Sequence, residues 1–209
     1  MSQGVLYVVA APSGAGKTSL VKALLLKDQA IRLSVSYTTR ASRPGETDGV
    51  DYRFISVDEF RQMAARGEFL ESAEVYGNYY GTSQAWISGE IAAGRDILLE
   101  IDWQGAAQVK RHFPDAVTLF ILPPSIEALR QRLSGRGQDS PEVIEKRMAA
   151  ARDDISHAAE FEYIIVNDDF DQALLDFMAV VRASRLTANR QTRNLASLFG
   201  RFGRDEPRS

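Results

Sequence analysis

The chain is predicted to form a three-layer α/β fold, in which a central parallel sheet lies between two layers of helices. Two observations support this prediction. Short apolar segments rich in β-branched residues alternate along the chain with segments of helical periodicity, an order typical of a parallel sheet covered on both faces. The chain has 209 residues, of which 44% are hydrophobic and 25% charged, so it is long and apolar enough for one well-packed domain with insertions.

The predicted strands are short and mostly apolar. Strands are expected at 5–10, 33–37, 97–101, 117–122 and 163–166. The helical patterns between them place apolar residues three and four positions apart. Helices are expected at 18–27, 103–112, 125–133 and 169–186.

Two segments interrupt the alternation and are interpreted as insertions into one domain that spans residues 1–209. The first, about 39–93, combines turn residues with a short alternating strand, and Ser56 and Glu59 form a capping box that predicts a helix start. The second, about 132–147, has a glycine-containing middle, and Ser140 followed by Pro141 predicts that a helix restarts there. The first is interpreted as a mixed α/β subdomain and the second as a helical lid. The core then comprises about 1–38, 94–131 and 148–188, followed by a helix end and a basic tail at 189–209.

Composition excludes several classes of protein. The chain has no cysteine, so disulfides and cysteine-based zinc sites are excluded. A net charge of −3 argues against binding to nucleic acid. The N-terminus has no basic segment leading into an apolar one, and no apolar run approaches the length of a membrane span. We therefore expect a cytoplasmic protein without nucleic-acid or membrane partners, and we leave open whether it is a homo-oligomer.

Residues 11–18, with the sequence APSGAGKT, match the phosphate-binding loop G-x-x-x-x-G-K-[ST] except for Ala11 at the first position. A predicted strand precedes the loop and a predicted helix follows it. Glycines let successive backbone N–H groups converge on an anion, and the helix directs its positive end to the same place. Lys17 is expected to reach the β- and γ-phosphates of a nucleoside triphosphate, and the Thr18 hydroxyl to ligate magnesium. The Ala11 departure puts only the turn geometry of the first position in question.

Two arginines, Arg40 and Arg43, lie just after a predicted strand, and ligands of open α/β sheets bind beyond the carboxyl ends of strands. Arginine grips phosphate with a planar fork of donors. Tyr52 and Tyr80 add phenolic donors. These side chains predict a second phosphate site, for the acceptor of a phosphoryl group.

Glu71 is a candidate for reading a base. Guanine presents two donors, N1–H and the N2 amine, beside the O6 acceptor, and one carboxylate can accept from both donors. Adenine has an acceptor at N1, which a carboxylate would repel. Glu71, with hydroxyls from Ser36 and Thr82, is therefore interpreted as a guanine reader, and a buried polar reader discriminates by up to about 10⁴-fold.

These segments together resemble the guanylate kinases over nearly the whole chain. The typical segments are 12–18, 39–46, 77–82 and 102–105. The resemblance implies that GMP or dGMP is held by Ser36, Arg40, Arg43, Glu46, Tyr52, Glu71, Tyr80, Thr82, Glu100 and Asp102. It implies that ATP is held by Pro12, Ser13, Gly14, Ala15, Gly16, Lys17, Thr18, Ser19, Arg132, Arg136 and Asn167, with Asn167 near the adenine.

The resemblance also assigns chemistry. Phosphoryl transfer depends on positioning and on cations that stabilise the transferring group. The implied catalytic residues are Lys17, Arg40, Arg132, Arg136 and Arg147, and the implied ligands of Mg²⁺, partly through water, are Thr18 and Asp102. The insertion and the lid are expected to close over both nucleotides and exclude water. The chain departs from the family at Glu100, where an aspartate is usual.

Other functions remain as alternatives. A guanylate-kinase-like binding module of a scaffold protein would typically lack an intact Gly-Lys-Thr loop, which this chain retains. A ribose-bisphosphate kinase of the same framework should lack the base reader formed by Glu71, Tyr80 and Thr82. Both are therefore less favoured than a guanylate kinase. His112 and His157 have no evident partner and are interpreted as structural, as is Trp103 at a helix start.

Overall fold

The computed structural model describes residues 3–75, 77–134 and 140–202. Its strands are β1 Leu6–Ala10, β2 Ile31–Leu33, β3 Tyr37–Thr38, β4 Arg53–Phe54, β5 Phe69–Val75, β6 Asn78–Ser83, β7 Asp96–Glu100, β8 Val117–Leu122 and β9 Tyr163–Val166. Its helices are α1 Lys17–Lys27, α2 Val57–Ala65, α3 Gln84–Ala92, α4 Trp103–His112, α5 Ile126–Ser134, α6 Pro141–Ser156, α7 Phe170–Arg185, α8 Ala188–Asn194 and α9 Ala196–Phe202.

The main sheet has five parallel strands in the order β2-β7-β1-β8-β9. β1 lies at its centre and is buried along its whole length, which explains its uninterrupted apolar sequence. One face packs Leu20 and Leu24 of α1 and Phe177 of α7, and the other packs Ile87 of α3 and Val109 of α4. Helices therefore cover both faces, and the predicted three-layer α/β fold is confirmed.

A second sheet of four strands, in the order β4-β3-β6-β5, forms the inserted mixed α/β subdomain. β3 and β4 pair in parallel, whereas β6 pairs antiparallel with both β3 and β5. The register of the β5–β6 pair places Glu71 opposite Thr82, next to an irregularity between Phe69 and Glu71. Phe60 of α2 stacks on Phe69 with ring centroids 4.5 Å apart, so α2 closes the outer face of this sheet.

The predicted helix starts are confirmed where a capping side chain was evident. The Ser56 hydroxyl accepts from the backbone N–H of Glu59 at 3.1 Å, and Ser140 caps α6, which begins with Pro141. The carboxylate of Asp102 accepts from the N–H of Gly105 at 2.7 Å and begins α4, which has the predicted bounds 103–112.

The prediction of one continuous strand at 33–37 is wrong. β2 ends at Leu33, at the edge of the main sheet, and the backbone N–H of Ser34 still bonds to the carbonyl of Leu98. The chain then crosses to the second sheet, where Tyr37 pairs with Gly81 in β3. The apolar and β-branched residues of this segment therefore belong to two sheets, which composition alone does not separate.

The C-terminal region contains more helix than the sequence indicated, since α8 and α9 follow α7. Their apolar residues are largely exposed, for example Phe199 at 51% and Phe202 at 76%, so no buried stripe marks them in the sequence. The middle of the predicted lid, 135–139, and the last residues, 203–209, lie outside the described residues. None of the helices described is long and apolar enough to cross a membrane.

Candidate active site

The phosphate loop joins β1 to α1 at the carboxyl end of the main sheet. Gly14 and Gly16 have φ of 93° and 94°, in the left-handed region that side chains other than glycine rarely adopt. A Cβ atom on Gly16 would stand 2.3 Å from Nδ2 of Asn167, so both the backbone angle and the space require glycine there. The loop turns back on itself through a bond from the N–H of Ala15 to the carbonyl of Pro12.

Asn167, at the end of β9, ties the loop to the main sheet. Its buried amide Nδ2 donates to the carbonyl of Ala15 at 2.7 Å. Its backbone carbonyl accepts from Nη2 of Arg132 at 2.9 Å. The side chain of Asn167 is thus committed to the loop, and its predicted contact with the adenine of ATP stays a prediction. Ser13 and Ser19 of the predicted ATP site are exposed at the mouth of the loop.

The start of α1 suits an anion. Its N-cap is Gly16, which has no side chain to occupy the free N–H groups, and its first turn contains no acidic residue. Lys17 begins the helix, and its Nζ donates to the carbonyl of Ile101 at 3.0 Å. Burial lowers the pKa of Lys17, while the acidic side chains of Glu100, Asp102 and Asp154 act to raise it. The Lys17 ammonium therefore lies within electrostatic range of three carboxylates.

The predicted magnesium residues also lie at this point. The Thr18 hydroxyl donates to Oε1 of Glu100 at 2.5 Å, and Asp102 follows β7 two residues later. A hydroxyl and carboxylates are the oxygen donors that Mg²⁺ prefers, so the residues present fit the ion. Among the described residues, no cluster of three or more His, Cys, Asp or Glu could hold a metal without further ligands.

The second sheet and the end of β7 enclose a cavity of about 370 Å³ next to Lys17. Nine of the ten residues predicted to form the acceptor site line this cavity, and the tenth, Thr82, lies directly behind Glu71. The nine are Ser36, Arg40, Arg43, Glu46, Tyr52, Glu71, Tyr80, Glu100 and Asp102. Segments far apart in the sequence therefore meet in one cleft, beside the phosphate loop.

Arg40 is held on one wall of the cleft by a carboxylate. Its Nη2 donates to Oε1 of Glu46 at 2.8 Å, and its guanidinium lies 5.3 Å from the ring centre of Tyr52. The bond to Glu46 is the main cause that raises the pKa of Arg40, with Tyr80 adding to it. The other carboxylate oxygen of Glu46 accepts from the backbone N–H of Arg43 at 2.7 Å. Glu46 thereby sets the spacing of the two arginines in the cleft.

Glu71 also lines the cleft and is 4% exposed. Its Oε1 accepts from the hydroxyl of Thr82 at 2.6 Å, and Ser36 lies 3.4 Å from the same hydroxyl. Burial raises the pKa of Glu71 to about 7, and the nearby Asp102 contributes, against the bond from Thr82, which lowers it. A carboxylate so placed lacks enough donors to satisfy both oxygens, and a ligand with two adjacent N–H groups would supply them.

The predicted lid arginines are distributed over two helices. Arg132 lies on α5 and reaches the carbonyl of Asn167, beside the phosphate loop. Arg147 lies on α6 and is half-buried. Arg136 falls outside the described residues. α5 and α6 pack on each other through their own small apolar cluster of Leu129, Leu133, Met148 and Ala151.

Comparison with protein families decides the assignment. The family model described as guanylate kinase matches residues 3–184. The chain belongs to the guanylate kinase family. The predicted resemblance is confirmed, and with it the classification as a nucleoside-monophosphate kinase with guanylate kinase function.

Guanylate kinases from several bacteria are similar to this chain over nearly their whole length. The guanylate kinase of Thiobacillus denitrificans is 67% identical over 203 residues, which cover 97% of each chain. That of Dechloromonas aromatica is 59% identical over 199 residues, covering 95% of this chain and 98% of its relative. The crystal structure of guanylate kinase from Anaplasma phagocytophilum is 34% identical, covers 98% of each chain and superposes with a TM-score of 0.79. The binding-module and ribose-bisphosphate kinase alternatives are not favoured by these likenesses.

Two residues near the site were not predicted to belong to it. Asp154 of α6 is half-buried and close enough to Lys17 and Asp102 for mutual electrostatic effects. His157, interpreted from the sequence as structural and without an evident partner, has two partners in the structure: it stacks on Trp103 and bonds to Glu160 at 2.6 Å. The stack joins residues 54 positions apart, and Asp154 lies 52 positions from Asp102 and 137 from Lys17, so no local pattern in this guanylate kinase sequence marks these contacts.

Proposed function

We propose that the chain transfers the γ-phosphoryl group of ATP to GMP or dGMP in a magnesium-dependent reaction that yields ADP and the nucleoside diphosphate. The observation that carries this proposal is the buried Glu71–Thr82 pair in a cleft that is also lined by Arg40 and Arg43. A base reader and a phosphate clamp thus lie in one cavity, with Lys17 of the phosphate loop on its rim. We further propose that this reaction serves purine nucleotide metabolism in the cytoplasm.

Base selection rests on the number of donors and acceptors. The Glu71 carboxylate accepts from N1–H and from the N2 amine of guanine, while Thr82 and Ser36 place hydroxyls beside O6. Adenine would bring its N1 lone pair against the carboxylate and leave it with only the hydrogen bond from Thr82 to Oε1. An unsatisfied buried charge costs several kcal/mol, which is enough to reject AMP by about 10⁴-fold.

For attack on ATP, the phosphate of GMP requires nearby cations rather than a general base that removes a proton. The second pKa of a phosphate monoester is about 6, so GMP is mainly a dianion at neutral pH and no proton has to be removed before attack. Its oxygen forms a bond to the γ-phosphorus as the bond from that phosphorus to the β,γ-bridging oxygen breaks, and ADP departs with the electron pair. Arg40 and Arg43 offset the repulsion between the two anions when Arg40 exchanges Glu46 for phosphate oxygens.

On the donor side, the backbone N–H groups of the loop and the start of α1 hold the phosphates of ATP. Lys17 leaves the carbonyl of Ile101 to bridge the β- and γ-phosphates. Thr18 and Asp102 would hold Mg²⁺ on the nucleotide, partly through water, with Glu100 accepting the proton of the Thr18 hydroxyl. The ion would neutralise charge on the transferring group. Arg132 and Arg147, from α5 and α6, supply further cations once the lid lies over the nucleotides.

A coupled assay of ADP release tests the proposal directly. Purified protein with ATP and Mg²⁺ is offered GMP, dGMP, AMP, UMP and ribose phosphates in parallel. GMP and dGMP should support turnover and AMP should not, because only guanine provides two adjacent donors to Glu71. Turnover with ribose phosphates or AMP at the rate of GMP would reject the proposed base reader.

A further inference from the structure

The ring of Trp103 and the ring of His157 form a parallel stack at the junction of α4 and α6. Their centroids are 3.4 Å apart and their planes differ by 9°. His157 is the C-cap of α6, and its Nδ1 lies 2.6 Å from Oε1 of Glu160 in the 3₁₀ turn that follows. Trp103 is the first residue of α4, directly after Asp102. The stack therefore joins the end of one helix to the start of another.

α4 is connected to the acceptor cleft at two points along its length. At its start, Asp102 lines the acceptor cleft and caps the helix through Gly105. Further along, the side-chain amide of Gln108 bonds to both the N–H and the carbonyl of Ser72, next to Glu71 in β5. A group that packs on the start of α4 is therefore also held in place relative to Glu71, the proposed base reader.

α6 needs such a fixed point. With α5 it forms a unit with its own apolar cluster, separate from the two large clusters on the faces of the main sheet. One contact of this unit with the core is at Gly14, where the side chains of Leu129 and Leu133 approach the loop. The Trp103–His157 stack is a second contact, at the other end of α6.

We propose that His157 is a positioning residue, which sets the angle of α6 over the phosphate loop by stacking on Trp103 and thereby places Arg147 for phosphoryl transfer. Arg147 precedes His157 by ten residues, or about 15 Å along the helix axis. A tilt of about 10° at the stack would displace Arg147 by about 3 Å, and misplacement of even about 1 Å can lower a rate by up to 10²-fold.

The surroundings of Asp154 support the proposal. This side chain lies one turn before His157 on α6. Burial and the charge of Asp102 raise its pKa, while Lys17 and His157 lower it, so all four groups are within electrostatic range. The stacked end of α6 is therefore the end that approaches the catalytic lysine. The inference rests on the proposed function, because it concerns how a lid arginine reaches the transferring phosphoryl group.

Three substitutions at His157 separate the ring stack from the hydrogen bond. His157→Ala removes both, His157→Phe restores a ring, and His157→Gln restores only a group that can bond to Glu160. We expect His157→Ala to lower kcat by about tenfold, with KM for GMP changed by less than about twofold, since GMP lies in the other subdomain. His157→Phe should recover kcat to within about threefold of the unchanged protein, whereas His157→Gln should remain as low as His157→Ala.

Fluorescence reports the stack independently of turnover. The chain has two tryptophans, and Trp86 is a partly exposed residue of α3 outside the proposed site, so Trp86→Phe leaves Trp103 as the sole reporter. In that background His157→Ala should change the emission of Trp103, and His157→Phe should change it less. Glu160→Gln, measured alongside, should leave kcat within about twofold.

Several results would overturn the proposal. Unchanged kcat in His157→Ala, even with a lower melting temperature, would show that the stack only stabilises the fold. Equal rescue by Gln and Phe would assign the effect to the hydrogen bond. If His157→Ala does not fold, the comparison of His157→Gln with His157→Phe decides between the same outcomes. The unchanged protein could fail to phosphorylate GMP while Trp103 emission still responds to His157→Ala. That result would reject the proposed function but would support the stacking contact between Trp103 and His157.

Discussion

The proposed donor side and the proposed acceptor side of the active site are built in opposite ways. The donor side is one continuous loop, residues 11–18, which offers mainly backbone N–H groups and is tied to the buried sheet through Asn167. The acceptor side gathers side chains from separate segments of the second sheet and from the end of β7. Backbone donors recognise any phosphate chain, whereas side chains can read a base. Specificity for the nucleotide should therefore reside on the acceptor side.

The two sides also differ in how they treat a buried charge. Lys17 loses hydration but is surrounded by Glu100, Asp102 and Asp154, which partly compensate it. Glu71 accepts a hydrogen bond from the neutral Thr82 hydroxyl. The charged group that influences it is Asp102, which repels its ionised form. Opposite charges therefore already lie near the buried Lys17, whereas the buried Glu71 would gain further hydrogen-bond donors only from guanine.

The largest effect is expected on the donor side. Lys17→Ala removes the cation at the β- and γ-phosphates, and we expect kcat to fall about 10³-fold or more, as when other preorganised charge-stabilising groups are removed. Lys22→Ala is the matched control, because Lys22 is an exposed lysine on the same helix, and it should leave kcat within about twofold. Steady-state kinetics with circular dichroism as a folding check measure both. Near-normal turnover of a folded Lys17→Ala variant would contradict the role given to the loop.

The next largest effect is expected at Glu71, and it tests whether specificity for GMP resides on the acceptor side. Glu71→Gln keeps the shape of the side chain but turns an amide hydrogen toward a guanine donor, so kcat/KM for GMP should fall by about 10²-fold or more. ATP binding, measured by calorimetry, should change little, because Glu71 does not face the phosphate loop. Glu74→Gln, an exposed position on the same strand, provides the control. An unaltered KM for GMP in Glu71→Gln would exclude Glu71 as the base reader.

The raised pKa of Glu71 predicts a pH dependence of GMP use. Guanine requires the ionised carboxylate, and the pKa of about 7 in the free protein means that this form is lost as the pH falls below 7. We expect kcat/KM for GMP to be about tenfold lower at pH 6 than at pH 8. The phosphate of GMP also titrates, near pH 6. This titration affects kcat/KM for GMP equally in the unchanged protein and in Glu71→Gln. It therefore cancels when kcat/KM of the unchanged protein is divided by that of Glu71→Gln at each pH. A ratio that is constant between pH 6 and 8 would contradict the assignment.

The same contrast explains how much of the molecule could be predicted from the sequence. The phosphate loop and the helix start at Asp102 are local patterns, so their positions were predicted correctly. The acceptor cleft was predicted as a set of residues but not as a structure, because Glu71 and Thr82 meet only through the pairing of β5 with β6. α3 was not predicted, since its apolar residues have no strong periodicity and a glycine interrupts them.

Contacts between side chains that are distant in the sequence are harder to predict from local patterns. Trp103 and His157 are ordinary residues at helix ends, and nothing near either of them in the sequence indicates the other. The same holds for Asp154, whose charge matters only because α6 folds back toward Lys17. Local chemistry predicts what a loop can bind, and tertiary packing decides which remote groups stand beside it.

The smallest effect is expected where the two sides meet, at Glu100. Its carboxylate accepts the proton of the Thr18 hydroxyl at 2.5 Å, which leaves the lone pairs of that hydroxyl available to Mg²⁺. Glu100→Asp restores the residue usual in the family but is shorter by one methylene, so water would bridge the gap to Thr18. We expect the half-saturating Mg²⁺ concentration for ATP binding to rise about threefold, less than the ten- to hundredfold typical of losing such an outer partner.

Glu100→Gln keeps the length and loses the charge, and it should raise the half-saturating Mg²⁺ concentration more than Glu100→Asp does, because an amide holds the threonine proton less strongly. Calorimetric titration of ATP at several Mg²⁺ concentrations measures both variants without turnover. Glu100 also acts on the charge of Lys17. At saturating Mg²⁺, any remaining difference in ATP affinity between a Glu100 variant and the unchanged protein reports the effect on Lys17. The difference that depends on Mg²⁺ concentration reports the effect on the ion. If Asp and Gln at this position leave the Mg²⁺ dependence unchanged, Glu100 serves the acceptor cleft alone, and the boundary between the two sides lies between Glu100 and Thr18.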